Sequence, residues 1–280
     1  MSETTKTVGV TPSEAAIKSR QRPKKDRFPA PIRVLEHSWL IVLVLAVWWL
    51  ATERSTNFFV PPLSRILEVA WRDVLNGVVL NNAIYSLTNL AAGLGLALVV
   101  GVVLGIAIGE TKRLREIVDP VLHFFRSIPQ SALVPLIIGA FGLGQGPKIY
   151  TIAFATVWPI LLNTIDGVLG VEPTVRSFAK VYRIPPMLYF RRVVLSSALP
   201  QILAGVRVAL PIGITVMVVS ELFASTRGLG YYILNASQTF KVPETWAGAL
   251  IVGIIGYLIT LLFIVIERRI LSWYFRSAGK

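Results

Sequence analysis

The chain has 280 residues, 54% of them hydrophobic and only 15% charged, and no cysteine; a soluble domain averages about 25% charged residues. This composition points to a single all-α integral membrane domain and excludes a disulfide framework or a thiolate metal site, and the two histidines, His37 and His123, stand too far apart to suggest a metal centre. The net charge of +13 fits the positive-inside bias of a membrane protein better than a nucleic-acid partner, and the placement of the charges tests that reading.

Residues 1–33 are polar and lack apolar periodicity. Lys18, Arg20, Arg22, Lys24, Lys25 and Arg27 cluster there beside Pro23, Pro29 and Pro31. This predicts a disordered cytoplasmic tail acting as a topology signal, close to anionic lipid headgroups. It does not read as a secretory signal peptide, because the polar lead is too long and no small-residue cleavage site follows the apolar run. A bilayer-spanning helix needs roughly 20 mostly apolar residues. The first candidate is Val34 to Thr52, with Trp48 and Trp49 as interfacial anchors. Within 34–83 an amphipathic stretch follows, Ser64 to Leu75, with Ile66, Leu67, Ala70, Trp71 and Val74 at helical spacing; it is expected to lie on the outer surface.

The second span is Ile84 to Gly109. Gly101, Gly105 and Gly109 form a stripe at four-residue spacing, where another helix can approach closely; the same stripe offers a packing face for a second copy of the chain. The third span, from about Pro120 to Phe141, carries Pro129 and Pro135, so a kinked helix inside the bundle is expected, with neighbours satisfying the freed carbonyls. The fourth span, Ile149 to Leu169, contains Pro159, Asn163 and Asp166. A basic interruption follows, VRSFAKVYRIPPMLYFRRVVLSSALP over 175–200, with five Lys or Arg, no acid and Pro185–Pro186 at its centre. It is expected to be a cytoplasmic helix–turn–helix. The fifth span runs from Ile202 to Phe223 and the sixth from Trp246 to Ile266, joined by an outer loop with Gly228, Gly230 and Pro243. Residues 84–270 thus make the core, and 271–280 a cytoplasmic tail.

Six spans place both termini on one side. On that topology 20 of the 28 Lys and Arg fall in cytoplasmic segments and 6 in outer ones. The bias supports cytoplasmic termini and accounts for the basic balance without nucleic acid. The chain lacks a phosphate-binding GK[ST] loop, an HExxH and a GxSxG, so no catalysis of its own is expected. Ionisable residues within spans are functional candidates: Arg126, Arg207 and Glu221, with Asp166 near the inner end of its helix. Arg126 and Arg207 are expected either to line an inward cavity that favours an anion or to pair with Asp119, Asp166 or carbonyls. Glu221 is a gate or a structural contact, and Gln130, Ser131 and Asn163 are further polar candidates for the pathway.

FAKVYRIPPMLYFRRVVLSSALPQILAGVR resembles the EAA loop of permease subunits of binding-protein-dependent ABC importers. DPVLHFFRSIPQSALVPL, FGLGQGPKIYTI, WPILLNTIDGV and RGLGYYI are similar to the nitrate/sulfonate/taurine branch, and the likeness extends over roughly residues 60–270. The resemblance implies a type I importer permease (MetI-like) fold with six spans, working as a homodimer in the bacterial cytoplasmic membrane. It also implies two ATP-binding-cassette subunits on the inside, an extracytoplasmic solute-binding protein, and a small, anionic solute such as nitrate, a sulfonate, taurine or another organic acid. The permease itself would bind no cofactor, ATP and Mg being held by the ATPase. The coupling positions are then Arg176, Ser177, Phe178, Ala179, Lys180, Tyr182, Arg183, Pro185 and Met187, in a loop of about 174–195. Ser177 stands where the family often has Glu, and Arg183 where glycine is usual, so a turn of altered geometry is expected, built by Pro185 acting on Ile184. The rival reading is an ion-coupled carrier or channel that needs no ATPase.

Overall fold

The computed structural model describes residues 43–53, 55, 57–142 and 144–277. The basic tail 1–33 and the start of the first expected span lie outside them. The chain divides into two units, Met1–Ala51 and Thr52–Lys280. At the end of the first comes the apolar helix α1, Leu43–Thr52. The second holds α2 (Leu63–Leu75), α3 (Val78–Glu110), α4 (Lys112–Ser127), α5 (Val134–Phe141), α6 (Gln145–Leu169), α7 (Pro173–Val181), α8 (Pro186–Tyr189), α9 (Leu195–Ala224), α10 (Leu229–Gln238), α11 (Val242–Ile270) and α12 (Ser272–Ser277). Among the described residues, four helices are long and apolar enough to cross a membrane: α3, α6, the continuous helix from Pro186 to Phe223, and α11. The pair α4 and Gln130–Phe141 makes a fifth if it is one broken span. The expected first span, Val34 to Thr52, is described only from Leu43 onward, as α1.

α6 is the centre of the bundle. α3 packs along one side of it and α9 along the other, and the core clusters follow it from end to end. Ile152 and Ala155 meet Leu90, Val134, Val216 and Met217. Ile160 meets Ala97 and Ala209, Leu161 and Ile165 meet Ile108 and Leu122, and Val168 meets Val194, Ala198 and Ile202. The glycine stripe makes this possible. Its small residues extend further than the three glycines of the sequence pattern: Gly93, Ala97, Gly101, Gly105 and Gly109 are all buried. A Cβ on Gly105 would lie 2.6 Å from Thr164 Cβ and 3.0 Å from the Leu161 carbonyl oxygen. The stripe is therefore used within the chain, against α6, and is not a free face for a second copy. On the other side of α6, Gly205 of α9 approaches the Pro159 carbonyl and the Ile160 backbone.

The third span is broken, not merely kinked. α4 begins at Lys112, ahead of the expected start, and ends where Ile128 turns extended (φ −76°, ψ 128°), as a residue before proline tends to. A 3₁₀ turn, Gln130–Leu133, then leads into α5 at an 84° bend. Freed carbonyls at the break find side chains: Gln130 Nε2 donates to the Phe125 and Ile128 oxygens at 3.4 and 3.2 Å, and Ser127 Oγ to Phe124 O at 2.7 Å.

The fifth span also starts earlier than expected. Pro186 begins a helix that runs through a π turn, Phe190–Val194, into α9. The second half of the expected helix–turn–helix is thus the extension of a span. The expected outer loop contains a helix, α10, which the sequence reading passed over. In α2 the buried face is Leu63, Ile66, Val69 and Asp73, while Leu67, Trp71 and Val74 are exposed; this short helix is apolar on two sides.

Candidate translocation site and coupling loop

α7 starts at Pro173, whose missing N–H costs nothing in a first turn. One face of α7 is tied to the body of the chain. Ala179 is buried, Arg176 donates to the Val168 carbonyl at 2.6 Å and pairs with Glu110 at 3.3 Å, and these contacts hold the helix against the ends of α3 and α6. Ser177 Oγ bonds back to the Pro173 carbonyl at 3.0 Å. The opposite face carries Val175, Phe178, Val181 and Tyr182, all exposed, the last three at 61%, 75% and 74%. Beyond the turn Met187 and Leu188 are exposed too, as are Lys180, Arg183, Arg191 and Arg192 of the same segment.

The turn keeps the geometry that glycine would give, so the expectation of an altered turn is wrong. Arg183 itself is left-handed, at φ +50°. Its N–H reaches the Lys180 carbonyl and the N–H of Ile184 reaches Ala179, at 3.2 and 3.0 Å. These are the two bonds of a Schellman cap, each worth about 1 kcal/mol, and Pro185 then prevents the helix from continuing. A left-handed residue other than glycine costs roughly 1–2 kcal/mol, partly offset by the larger unfolded-state freedom of glycine. Arg183→Gly should therefore raise the thermal midpoint of the purified chain slightly, by about 0.5–1 kcal/mol of stability; a lower midpoint would contradict the left-handed turn.

Between the break in α4, the middle of α6 and α9 lies a cavity of about 660 Å³. It brings together four of the polar candidates, Arg126, Gln130, Asn163 and Asp166, and adds Trp158. The Trp158 ring stacks on Phe125 at 4.9 Å and meets Phe154 edge-on at 5.4 Å. Asn163 Nδ2 donates to the Pro159 carbonyl at 2.8 Å. The indole N–H of Trp158 and the Gln130 Oε1 are buried without a hydrogen-bond partner. Arg126 and Asp166, both exposed at the open side, form no ion pair among the described residues.

The other candidates lie elsewhere. Ser131 is exposed in the 3₁₀ turn and does not line the cavity. Arg207, expected like Arg126 to line an inward cavity or to pair with Asp119, Asp166 or carbonyls, does not line the cavity and pairs with Glu267 of α11, with Nε at 3.1 Å from Oε2. The sequence reading considered Asp119 and Asp166 as partners and passed over Glu267, which is hidden in the run Glu267-Arg268-Arg269. Its side chain is 5% exposed, and a carboxylate that loses its cation at such a site is costly. Arg207→Gln should lower the thermal midpoint, and adding Glu267→Gln should recover part of the loss. Equal loss in the single and double variants would show that the pair contributes nothing.

Glu221 is fully buried at the far end of α9. Its Oε2 accepts from Ser86 Oγ at 2.8 Å and from the Gly230 N–H at 2.9 Å, and Ser86 Oγ accepts from the Leu229 N–H at 2.8 Å. Asn82 Oδ1 takes the Gly228 N–H at 2.8 Å. The carboxylate thus sits on the N-terminus of α10, where free N–H groups and the helix dipole favour it. Any Cβ on Gly228 would strike it, which explains the glycines of RGLG. Nearby, the buried Lys148 donates to Tyr85 Oη and Ser225 Oγ at 3.2 and 2.7 Å. Glu221 is thereby a positioning group for α10, and neither it nor Lys148 lines the cavity.

α10 is held to α2 by Tyr232, which donates to Asp73 at 2.6 Å, while Arg72 bridges Asp73 and Glu244 at 3.0 and 3.3 Å. Burial, and then the Asp73 carboxylate, hold the Tyr232 phenol well above its ordinary range. A raised folded value means that this contribution is whole below about pH 10, the ordinary tyrosine value, and fades as pH climbs beyond it. Tyr232→Phe should lower stability at neutral pH by roughly 1.5–3 kcal/mol, the range for a hydrogen bond to a charged group, and should flatten the alkaline loss. A variant with an unchanged alkaline limb would refute this assignment.

A protein-family model described as "binding-protein-dependent transport system inner membrane component" matches residues 74–274, which takes in the cavity, the loop and the Glu221 cluster. The chain belongs to this family. It is a multi-pass inner-membrane transport permease, with the all-α, MetI-like fold. It is 30% identical to the taurine transport system permease protein TauC of Escherichia coli over 264 residues, covering 92% of this chain and 96% of that one. It is 29% identical over 266 residues to the putative aliphatic sulfonates transport permease protein SsuC of Bacillus subtilis, covering 95% of each. Among solved structures, the inward-facing MetNI methionine ABC transporter superposes with a TM-score of 0.60 at 17% identity, over 70% of this chain and 98% of that one; this likeness concerns the fold.

Proposed function

We propose that the chain forms the translocation pathway of an ATP-driven importer of small anionic solutes and is driven through α7 by a separate ATPase. The observation that carries the reading is the exposed apolar face of α7, Val175, Phe178, Val181 and Tyr182, with the exposed Met187 and four exposed cations in the same segment. α7 is not one of the helices long and apolar enough to cross a membrane, Met187 stands in the first turn of the helix that leads into the fifth span, and the other face of α7 is tied to α3 and α6. A surface of this kind, apolar and aromatic with cations in the same segment, suits a protein groove, and its rigid mounting lets a push on α7 reach the helices around the cavity. Arg176 and Ala179 hold the loop; Phe178, Tyr182, Met187 and the neighbouring Lys180 and Arg183 contact the ATPase. Ser177 and Pro185 shape the element.

The rest of the assembly follows from the family. Two copies of the chain enclose the pathway, two ATPase subunits hold ATP and Mg, and an extracytoplasmic binding protein delivers the solute. This reading puts both termini and α7 on the cytoplasmic side, which the charge bias supports. The relatives named for taurine and aliphatic sulfonates, together with Arg126 at the cavity, favour a sulfonate or a similar organic anion. The test is co-expression with a candidate ATP-binding-cassette subunit from the same genome: the two should purify together, and uptake in proteoliposomes should require ATP and the ATPase. Uptake by this chain alone would instead establish an ion-coupled carrier.

A further inference from the structure

We propose that α2 lies in the plane of the bilayer surface, on the membrane face opposite α7, with its exposed apolar stripe sunk into lipid. At about 100° per residue the side chains of α2 fall into three sectors. Leu63, Ile66, Val69 and Asp73 are buried against the chain. Arg65, Glu68 and Arg72 form a second row, all exposed. Leu67, Trp71, Val74 and Leu75 form a third, exposed at 44%, 67%, 42% and 67%. A helix on a protein surface in water needs two sectors, apolar inside and polar outside. A third sector, apolar and uncovered, fits a helix that meets protein, water and lipid at once. Trp71, in the middle of the stripe, is of the residue type that gathers at bilayer surfaces.

The depth of α2 follows from its attachments. Only Asn76 and Gly77 separate it from the spanning helix α3, and Gly77 makes the turn in a left-handed conformation, at φ +75°. Arg72 pairs with Glu244 in the first turn of α11 at 3.3 Å, and Trp246 Nε1 of the same helix donates to the Phe59 carbonyl at 3.1 Å. α2 is therefore level with the ends of two spans and not raised above them. α7 is tied to the other end of α3, through Glu110. Next in the chain after α2, Val78, Leu80 and Ile84 of α3 are exposed and apolar, on a helix whose outer surface meets lipid. A second copy of the chain is a poorer cover. Leu67 to Leu75 is a strip roughly 12 Å long, too small alone for the roughly 1,200 Å² that a stable protein interface buries. The polar row holds two cations and one anion, and Arg72 is taken up by Asp73 and Glu244, so apolar burial and not headgroup charge is the attraction. Placed this way, α2 seats α10 at the bilayer surface, since Asp73 on its buried side accepts from the Tyr232 hydroxyl.

Only the spanning role of α3 and α11 is required, so the outcome is independent of the ATPase. The chain has no cysteine, and a single introduced cysteine therefore carries a label without further change. Leu67→Cys, Trp71→Cys and Val74→Cys on the stripe, and Arg65→Cys and Glu68→Cys on the polar row, are labelled with a nitrobenzoxadiazole fluorophore. The full-length chain is then reconstituted into phosphatidylcholine vesicles. Phosphatidylcholine brominated on its acyl chains should remove about half or more of the emission of the stripe labels, because an interfacial helix buries its apolar face roughly 5–10 Å deep. Iodide, present on both sides of the vesicle, should quench the polar row instead. A comparison without labels uses the conservative variant Trp71→Phe, in which brominated lipid should quench less of the total tryptophan emission than in the wild type. Stripe labels quenched by iodide alone would put that face in water, and labels quenched by neither would mean that a second copy or another segment covers it; either overturns the proposal. Equal quenching of both rows by brominated lipid, which would place α2 inside the bilayer, overturns it too, as does a Trp71→Phe variant that matches the wild type.

Discussion

Phe178→Asp and Met187→Asp should each release the ATPase from the purified complex and reduce ATP-driven uptake to background, while the chain keeps its thermal midpoint. Both residues are more than half exposed, at 61% and 68%, so the fold gains little from them. A central aromatic or aliphatic anchor of an interface typically contributes 2–4 kcal/mol, and an unpaired carboxylate placed in an apolar groove adds a desolvation cost. Together these weaken association by about a hundredfold or more. Ala179→Asp should behave differently. Ala179 is 8% exposed and its carbonyl anchors the Schellman turn, so a carboxylate there should lower the thermal midpoint whether or not an ATPase is present. Pull-down yield and midpoint, measured on the same preparations, separate the two classes. If Phe178→Asp binds the ATPase as the wild type does, α7 is not the coupling element.

The family and the architecture were legible in the sequence because both rest on local patterns. Apolar runs mark spans, glycines at a four-residue repeat mark a close crossing, and the basic loop with its neighbouring motifs marks the permease. What eluded it depends on contacts far apart in the chain. Arg207 and Glu267 are 60 positions apart, and only the packing of α9 on α11 makes them partners. The capping of α10 by Glu221 joins three separate segments. The geometry of the loop turn was misjudged for a different reason. A left-handed arginine is unfavourable on its own, and the sequence does not show the two backbone bonds and the buried Ala179 that hold it there. At the cavity, Arg126, Gln130 and Asn163 were visible as polar residues in apolar runs. Trp158 was not, because an aromatic residue in a membrane helix carries no signal until its neighbours are known.

Gly105→Val and Gly205→Val should be the most damaging single substitutions in the spans. α6 is gripped from both sides, and each glycine faces its backbone: Gly105 lies over Thr164 and the Leu161 carbonyl, Gly205 over the Pro159 carbonyl and Ile160 Cα, with the first added atom already 3.0 Å or less from several of these. Backbone atoms cannot turn aside as a side-chain end can, so one helix must move as a whole. Overpacking a tight core costs typically 1–3 kcal/mol, and a β-branched residue at a helix crossing should reach or pass the upper end. The cost should also spread, because separating α3 or α9 from α6 opens the clusters around Ile160, Leu161 and Val168 that carry the cavity wall and the seat of Arg176. Uptake should therefore fall with stability, and the ATPase should be lost with it, unlike Phe178→Asp and Met187→Asp, which lose the ATPase and uptake but keep the thermal midpoint. Gly95→Ala and Gly253→Ala provide the contrast, since a Cβ at either meets nothing within 4 Å and alanine is the better helix former. These two should melt no lower than the wild type. A Gly105 or Gly205 variant that melts with them would show that α6 is not held by backbone contact, and the route from α7 to the cavity would then need a different frame.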